Sequence, residues 1–425
     1  MEIRLVKDFL VNQLHRDIYK TVKRELVLKN VKGKSTTIIG PRRAGKTTLM
    51  WQEILNLERQ ETVYLDFEDV ALKRISAVDC LKVVTELFTE VSGSKVKNIF
   101  LDEIQNLDDW QSLVRTLLDR GYNVYASGSS SRLLTREIAT QLRGRSFSFL
   151  LLPFSFSEFL AATGNTQLDF NLLEDIGMLK NLLSTYVDSG GYPEIILIKG
   201  EKDRLLSEYR ELIFFKDFVE RQKVKSIEVA RFIFNFVTQC FASEISVRKI
   251  VNELGSRGMQ FGKNTVYEYI EKLQDTMIFF FIERYSTKIA LRSGWPKKVY
   301  LADNGLAWRL PYDKGRLIEN LVFLQLKRKQ TSEAANQIYY FRDERDREVD
   351  FVLKRGEKIE ELIQVTYASS ENDMKNREIW SLLEAGNKLN CNNLTIITWD
   401  LEDTKSYSLQ EVKFVPLWKW LLVAK

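Results

Sequence analysis

Gly40-Pro-Arg-Arg-Ala-Gly45-Lys46-Thr47 has the spacing G-x-x-x-x-G-K-[ST], a pattern whose chemistry is phosphate binding. A glycine-rich turn running into a helix presents backbone N–H groups to an anion, and a lysine at this position reaches the outer phosphates. Lys46 is therefore expected on the β and γ oxygens and the Thr47 hydroxyl on Mg²⁺, with Gly40, Arg43, Gly45 and Thr48 completing the nucleotide-binding set. Downstream, "NIFLDE" ends an apolar run in two adjacent carboxylates. Asp102 suits an outer ligand of Mg²⁺, and Glu103 suits a group that orients or deprotonates an attacking water. ATP and Mg²⁺ are the expected cofactors.

Two further sets of residues have open readings. In "YASGSSS", Ser127 and Ser129 could sense a γ-phosphate, or serve as ordinary turn residues after a strand. In "LRGRSF", Arg143 or Arg145 could neutralise transition-state charge, in the same chain or across a subunit interface, or simply lie on the surface. Of these, Ser127 and Arg145 are taken as the candidates.

These residues need elements to hold them. "TTIIG" reads as a short buried strand and "TLMWQEILNLER" as a helix, followed by strands "TVYLDF", "KNIFLDE" and "YNVYASG". Strands alternating with helices predict an α/β fold with a parallel sheet and helices on both faces. This unit is expected to close near Leu160, after "LLPFSFSEFL". Residues 165–235 read as helical, broken by "GGYPE". From about 236 the pattern is three short helices and two apolar strands, "MIFFFIERYS" and "KKVYLAD". From Arg316 it runs helix, three strands, helix, strand.

At 425 residues the chain exceeds one ordinary core, and about 150 residues per domain predicts two to four units. Three scattered cysteines and a single histidine exclude a disulfide framework and a Cys/His zinc site. No apolar stretch reaches the length of a membrane span, and the charged amphipathic start lacks the apolar core of a signal peptide, so a cytoplasmic protein without membrane contact is expected. A net charge of +5 spread over 121 charged residues permits nucleic-acid binding without arguing for it.

Taken in order, "GPRRAGKTTL", "LDEIQN", "ASGSSSRLL" and "LRGR…LLPFSFSEFL" resemble the AAA+-type P-loop ATPases of archaea and bacteria. The resemblance continues through "GGYPE", "FFKDFVER", "KVYLADNGL", "GRLIENLVFLQL", "YYFRDERDREVDFVL" and "LIQVTYA", nearly the whole chain. It implies an ATPase core over 1–160, a helical lid-like segment over 161–235, a winged helix over 236–312, and a restriction-endonuclease-like domain of the PD-(D/E)xK type over 313–425. DNA is the partner this implies. A protein partner and an oligomer are the further expectations.

On their own terms, residues 236–303 also fit a winged helix. The helix from about Lys263 would face the core with Val266, Ile270 and Leu273 and offer Lys263, Asn264, Thr265, Tyr267 and Lys272 to a groove. Arg284, Lys288, Arg292, Lys297 and Lys298 would reach phosphates. In the last domain, Glu319, Asp350 and Gln364 occupy the metal positions of a nuclease-like site, but Thr366 stands where its lysine belongs. Lys354 or Lys358, on the adjacent strand pair, is the alternative source of that lysine. The stronger expectation is a fold kept for binding, with Asp350 and Glu319 tied to Arg342 or Arg347. Two functions follow: an ATPase whose cycle controls DNA-binding domains, or a nucleotide-dependent signalling switch or scaffold for a protein partner.

Overall fold

The structure, a computed structural model, describes residues 2–423 apart from 19–20, 130–141, 143, 170–171, 199, 260, 288–295, 312, 333–335, 371–372, 375 and 408–409. The chain divides into two compact units, Met1–Leu151 and Leu152–Lys425.

In the first unit, β1 (Ser35–Ile39), β2 (Thr62–Asp66), β3 (Asn98–Asp102), β4 (Asn123–Gly128) and β5 (Ser146–Leu150) form one sheet in the order β2-β3-β4-β1-β5. All four pairings are parallel, as expected from the alternation of strands and helices. β1 and β3 are buried at every position, which a parallel sheet covered on both faces requires. The helix Lys46–Ile54 turns Leu49, Met50, Trp51 and Ile54 into a cluster with Ile38, Tyr64, Phe100 and Tyr125. Burial of such side chains stabilises by about 1.5–3 kcal/mol each. Periodicity gives no sign of the strand order. β4 lies between β1 and β3, so the end of β4 stands between the phosphate loop and the Asp102-Glu103 pair.

The second unit opens with helices Phe156–Ala162, Leu173–Ser189, Pro193–Leu197, Lys202–Leu212 and Ile227–Gln239. A small antiparallel sheet follows, made of β6 (Ser243–Ile245), β7 (Phe279–Ile282) and β8 (Lys297–Leu301) in the order β6-β8-β7. β6 was not expected, because a three-residue strand is too short to show alternation. Helices Val247–Ser256 and Lys263–Asp275 lie between β6 and β7. The second of these buries Val266, Tyr269 and Leu273, so Tyr269 takes the core position expected for Ile270. The difference is one residue of helical phase.

After helix Lys314–Ser332 comes a six-stranded sheet of β9 (Asn336–Arg342), β10 (Glu348–Arg355), β11 (Lys358–Val365), β12 (Leu394–Thr398), β13 (Asp403–Tyr407) and β14 (Gln410–Pro416). Its order is β13-β14-β12-β11-β10-β9, with β12 parallel to both β11 and β14 and the remaining pairs antiparallel. The hairpin β13–β14 is additional to the strands expected from sequence. Helix Asn376–Leu389 covers one face through Ile379, Leu382 and Leu383.

A buried polar junction ties these parts of the second unit together. Asn320 on helix Lys314–Ser332 accepts from the Leu301 N–H at 2.9 Å, and its amide donates to the Leu301 carbonyl at 3.1 Å and to Asn304 at 2.9 Å. Asp303 accepts from the backbone N–H groups of Gly191 and Gly305 at 2.6 and 2.8 Å. A Cβ on Gly190, whose φ is +74°, would lie 1.8 Å from Asp303 Oδ1. The motifs "GGYPE" and "LADNGL" thus make one joint. Among the described residues, no helix is long and apolar enough to cross a membrane.

Candidate functional site

The phosphate loop leaves the carboxyl end of β1 and enters helix Lys46–Ile54. Gly40 is needed for close approach, because a Cβ there would lie 2.0 Å from the Leu151 carbonyl oxygen. Gly45 is needed for conformation, since it caps the helix at φ 96°. Arg43, inside the loop, also holds a positive φ of 62°. Lys46 is 5% exposed and donates to the carbonyls of Gly40 and Pro41 at 3.2 Å each. Its ammonium stands 3.4 Å from the Glu103 carboxylate. The lysine is folded onto its own loop and onto the acid across from it.

Asp102 is 1% exposed and accepts from four donors. These are the Thr47 hydroxyl at 2.6 Å, the Tyr64 hydroxyl at 2.7 Å, the Ser127 hydroxyl and the Glu103 N–H at 3.1 Å. Burial first, then the charge of Asp102, hold the Tyr64 phenol far above its ordinary range, so it remains a donor. Glu103 sits in the left-handed region at φ 48°, a strain of about 1–3 kcal/mol for a residue with a side chain. Its N–H bonds Ser127 Oγ at 3.1 Å, and its carboxylate accepts from Gln105 and from Ser129 Oγ, the latter at 3.1 Å. Burial pushes this carboxyl up, but the Lys46 ammonium, the Gln105 hydrogen bond, the Arg42 charge and Ser129 outweigh it and lower it to about 2. The two serines thus divide between the two acids, Ser127 on Asp102 and Ser129 on Glu103.

Thr47 and Asp102 offer hard oxygens side by side, and glycines shape the loop above them, which suits a Mg²⁺–nucleotide pair. Thr48 lies half-buried in the first turn of the helix. Arg145 does not join the site within this chain. The Ser35 N–H and hydroxyl donate to the Arg145 carbonyl at 2.8 and 3.3 Å, so Arg145 stands at the amino end of β1. A five-residue strand, at about 3.3 Å per residue, separates it from the loop. Its guanidinium pairs at the surface with Asp119. Arg143 lies outside the described residues, as do Lys288 and Arg292.

In the second unit Glu319 and Asp350 are brought together, but their partner is neither Arg342 nor Arg347. Lys298 of β8, 2% exposed, stands 3.0 Å from Glu319, 2.9 Å from Asp350 and 2.6 Å from Glu348. This corrects the expectation that Lys298 reaches phosphate, because its strand is flanked by β6 and β7 and its side chain turns inward. Arg342 pairs with Glu244 at 2.6 Å, and Arg347 with Asp343 at 2.6 Å. Phe351 faces Ile363 in the β10–β11 register, which sets Gln364 opposite Asp350. Gln364 is 8% exposed, and its Oε1 has no hydrogen-bond partner among the described residues.

Residues 32–160 match the AAA domain family. Residues 180–315 match a domain of unknown function, DUF8612, and residues 314–420 match another, DUF4143. An uncharacterised protein of Methanocaldococcus jannaschii, MJ1544, is 36% identical over 414 residues, covering 95% of this chain and 91% of that protein. The chain belongs to the MJ1544 family. An uncharacterised protein of Haemophilus influenzae is 27% identical over 351 residues, 79% of this chain and 83% of its own. Among solved structures, that of Cdc6p from Pyrobaculum aerophilum covers 76% of this chain and 94% of its own, with 11% identity and a TM-score of 0.27.

This member of the MJ1544 family therefore carries an AAA domain, a nucleotide-binding class of ATPase fold, in its first unit. Sequence reasoning missed three of its polar groups. Tyr64 needed the β2–β3 register, in which it lies beside Phe100, two residues before Asp102. Arg24, 7% exposed, donates to the Ala44 carbonyl inside the phosphate loop at 2.7 Å, and no local pattern marks it. Lys298 had a signal, a lysine within the apolar run "KKVYLAD", but the sequence points it to phosphate rather than to buried carboxylates.

Proposed function

We propose that the first unit binds ATP with Mg²⁺ and hydrolyses it to ADP and phosphate, and that this cycle controls a DNA-binding second unit. Glu103 is the observation that carries hydrolysis rather than binding alone. It is a carboxylate only 12% exposed, aimed by Ser129 and Gln105 and held against the lysine that phosphate would claim.

Phosphate oxygens entering the loop replace Glu103 and the two loop carbonyls as partners of Lys46. Without that ammonium, the strongest influence holding it low, Glu103 becomes more basic. It then accepts a proton from water as the water oxygen bonds to the γ-phosphorus and the bond to the bridging oxygen breaks. Mg²⁺ would be held by the Thr47 hydroxyl with Asp102 behind it, and would neutralise charge on the phosphate oxygens.

For the second unit, three helices with the sheet β6-β8-β7 support a winged-helix-like reading, and the mixed six-stranded sheet supports a restriction-endonuclease-like one. Helix Lys263–Asp275 offers Lys263, Asn264 and Tyr267 on its exposed amino half, the end that such a helix presents to a groove. A second reading is a nucleotide-dependent scaffold for a protein partner. It draws on the loss of basic groups near the small sheet, where Lys298 is buried and Lys297 lies 3.4 Å from Glu283.

ATP turnover of the full chain, measured with and without duplex, single-stranded and branched DNA, tests both. Lys46→Ala should abolish nucleotide binding, and Glu103→Gln should keep binding while lowering turnover about 10²–10⁴-fold. Turnover indifferent to every DNA, with no DNA bound at low salt, would leave the scaffold reading.

A further inference from the structure

We propose that the Lys298 ammonium permanently occupies the place of a divalent cation among Glu319, Glu348 and Asp350, so that this carboxylate cluster takes no metal and is a fixed internal staple. The proposal is independent of the ATPase reading, because every residue in it belongs to the second unit.

Valence and distance carry it. An ammonium has three donors and no acceptor. Lys298 faces one oxygen from each of three carboxylates, at 3.0 Å for Glu319, 2.6 Å for Glu348 and 2.9 Å for Asp350. Those separations are those of charge-assisted N–H···O bonds, whereas oxygens around Mg²⁺ or Ca²⁺ lie at about 2.0–2.6 Å from the ion. Two donors make hydrogen bonds, to Glu319 and Asp350, the ammonium also pairs with Glu348, and the nitrogen stands where the carboxylates converge.

The lysine is also unable to leave. It lies in the middle strand of β6-β8-β7, with 2% of its side chain exposed, and Val299 and Tyr300 beside it are fully buried. The Tyr300 hydroxyl donates to Glu319 at 2.7 Å, and the Val365 N–H donates to Asp350 at 2.9 Å. Glu348 is further held near Arg342, at 4.0 Å. Burial works against the ammonium, but Asp350, Glu319, Tyr300 and Glu348 outweigh it and hold it well above the ordinary lysine range, so it stays charged. Burial, and for Glu319 also the charge of Asp350, push the Asp350 and Glu319 carboxyls up. A dication would have to displace this ammonium before the three carboxylates could turn to it.

The cluster joins β8 to helix Lys314–Ser332 and β10, the parts that sequence assigns to two domains. Its role is to hold them as one body, with the nuclease-like geometry kept and its metal replaced.

The test is Mn²⁺ binding by the nucleotide-free full chain, followed by electron paramagnetic resonance and by thermal unfolding. The wild type should show no Mn²⁺ that Asp350→Asn removes. Lys298→Ala, which leaves three carboxylates and a space, should gain one Mn²⁺ per chain over the wild type, and the gain should vanish in the double variant with Asp350→Asn. Should Lys298→Ala not fold alone, it should fold in Mn²⁺ and bind one ion. Two outcomes would overturn the proposal. One is a Lys298→Ala chain that gains no ion, with or without refolding in Mn²⁺. The other is a wild-type Mn²⁺ site, or Mn²⁺-dependent DNA cleavage, abolished by Asp350→Asn. Gln364 would then be a metal ligand and Lys298 its companion.

Discussion

Asp102 shows how one residue gathers a site. Four donors converge on its two oxygens, and each comes from a different part of the first unit: the loop helix, β2, β4 and its own neighbour. A hydrogen bond to a charged group is worth about 1.5–3 kcal/mol. Tyr64→Phe removes one and leaves the ring packing intact, so Asp102 gains freedom to rotate away from Thr47. The expected result is an ATP turnover lowered about tenfold, with an unfolding midpoint lowered by about 3–10 °C, read by steady-state kinetics and circular dichroism. Arg24→Ala acts on the loop itself, since its guanidinium fixes the Ala44 carbonyl. There KM for ATP should rise about tenfold while kcat moves less, a split that a merely unfolded fraction would not produce. Lys46, Thr47, Asp102 and Glu103 were legible from spacing alone. Tyr64 and Arg24 were not, because their partners lie 38 and 20 residues away and no local period connects them.

Helices and long strands follow from local pattern, but the joints between them do not. Asn320 satisfies both backbone groups of Leu301 and the side chain of Asn304, all buried. Asn320→Leu leaves three polar groups without partners, and a loss of about 3 kcal/mol is expected in the urea transition of the second unit. Asp303 makes the same joint sensitive to pH. Burial raises its carboxyl to about 7, against the two backbone N–H bonds that favour the charged form. An unfolded aspartate titrates near ~3.9. The folded state therefore binds the proton more tightly, and the stability this contributes is complete below about pH 4 and is lost as pH rises through 7. Thermal unfolding of the second unit should fall in midpoint between pH 5 and 8, and Asp303→Asn should flatten that slope. The strings "GGYPE" and "LADNGL" stand out in the sequence, yet only packing shows that they mark one another: the glycines clear space for Asp303, whose carboxylate then caps their backbone.

At the scale of the whole chain, the second unit behaves as one body in its contacts. Cutting at residue 313 would separate Lys298 from Glu319, Glu348 and Asp350, and Leu301 from Asn320. A fragment of residues 313–425 should lack a cooperative unfolding transition, whereas residues 152–425 should show one, by calorimetry or urea titration. The amino-acid sequence by itself determined the phosphate loop, the acidic pair, the parallel α/β core and the absence of a lysine at Thr366, because each is written in local spacing or period. Only the tertiary structure decided the strand order that seats Ser127 between loop and acid, the distance of Arg145 from the site, and the lysine that stands among Glu319, Glu348 and Asp350. Those depend on which strands pair and which faces turn inward. Pairing is settled by packing across the whole unit, where a buried charge must find its counter-charge wherever the chain brings one.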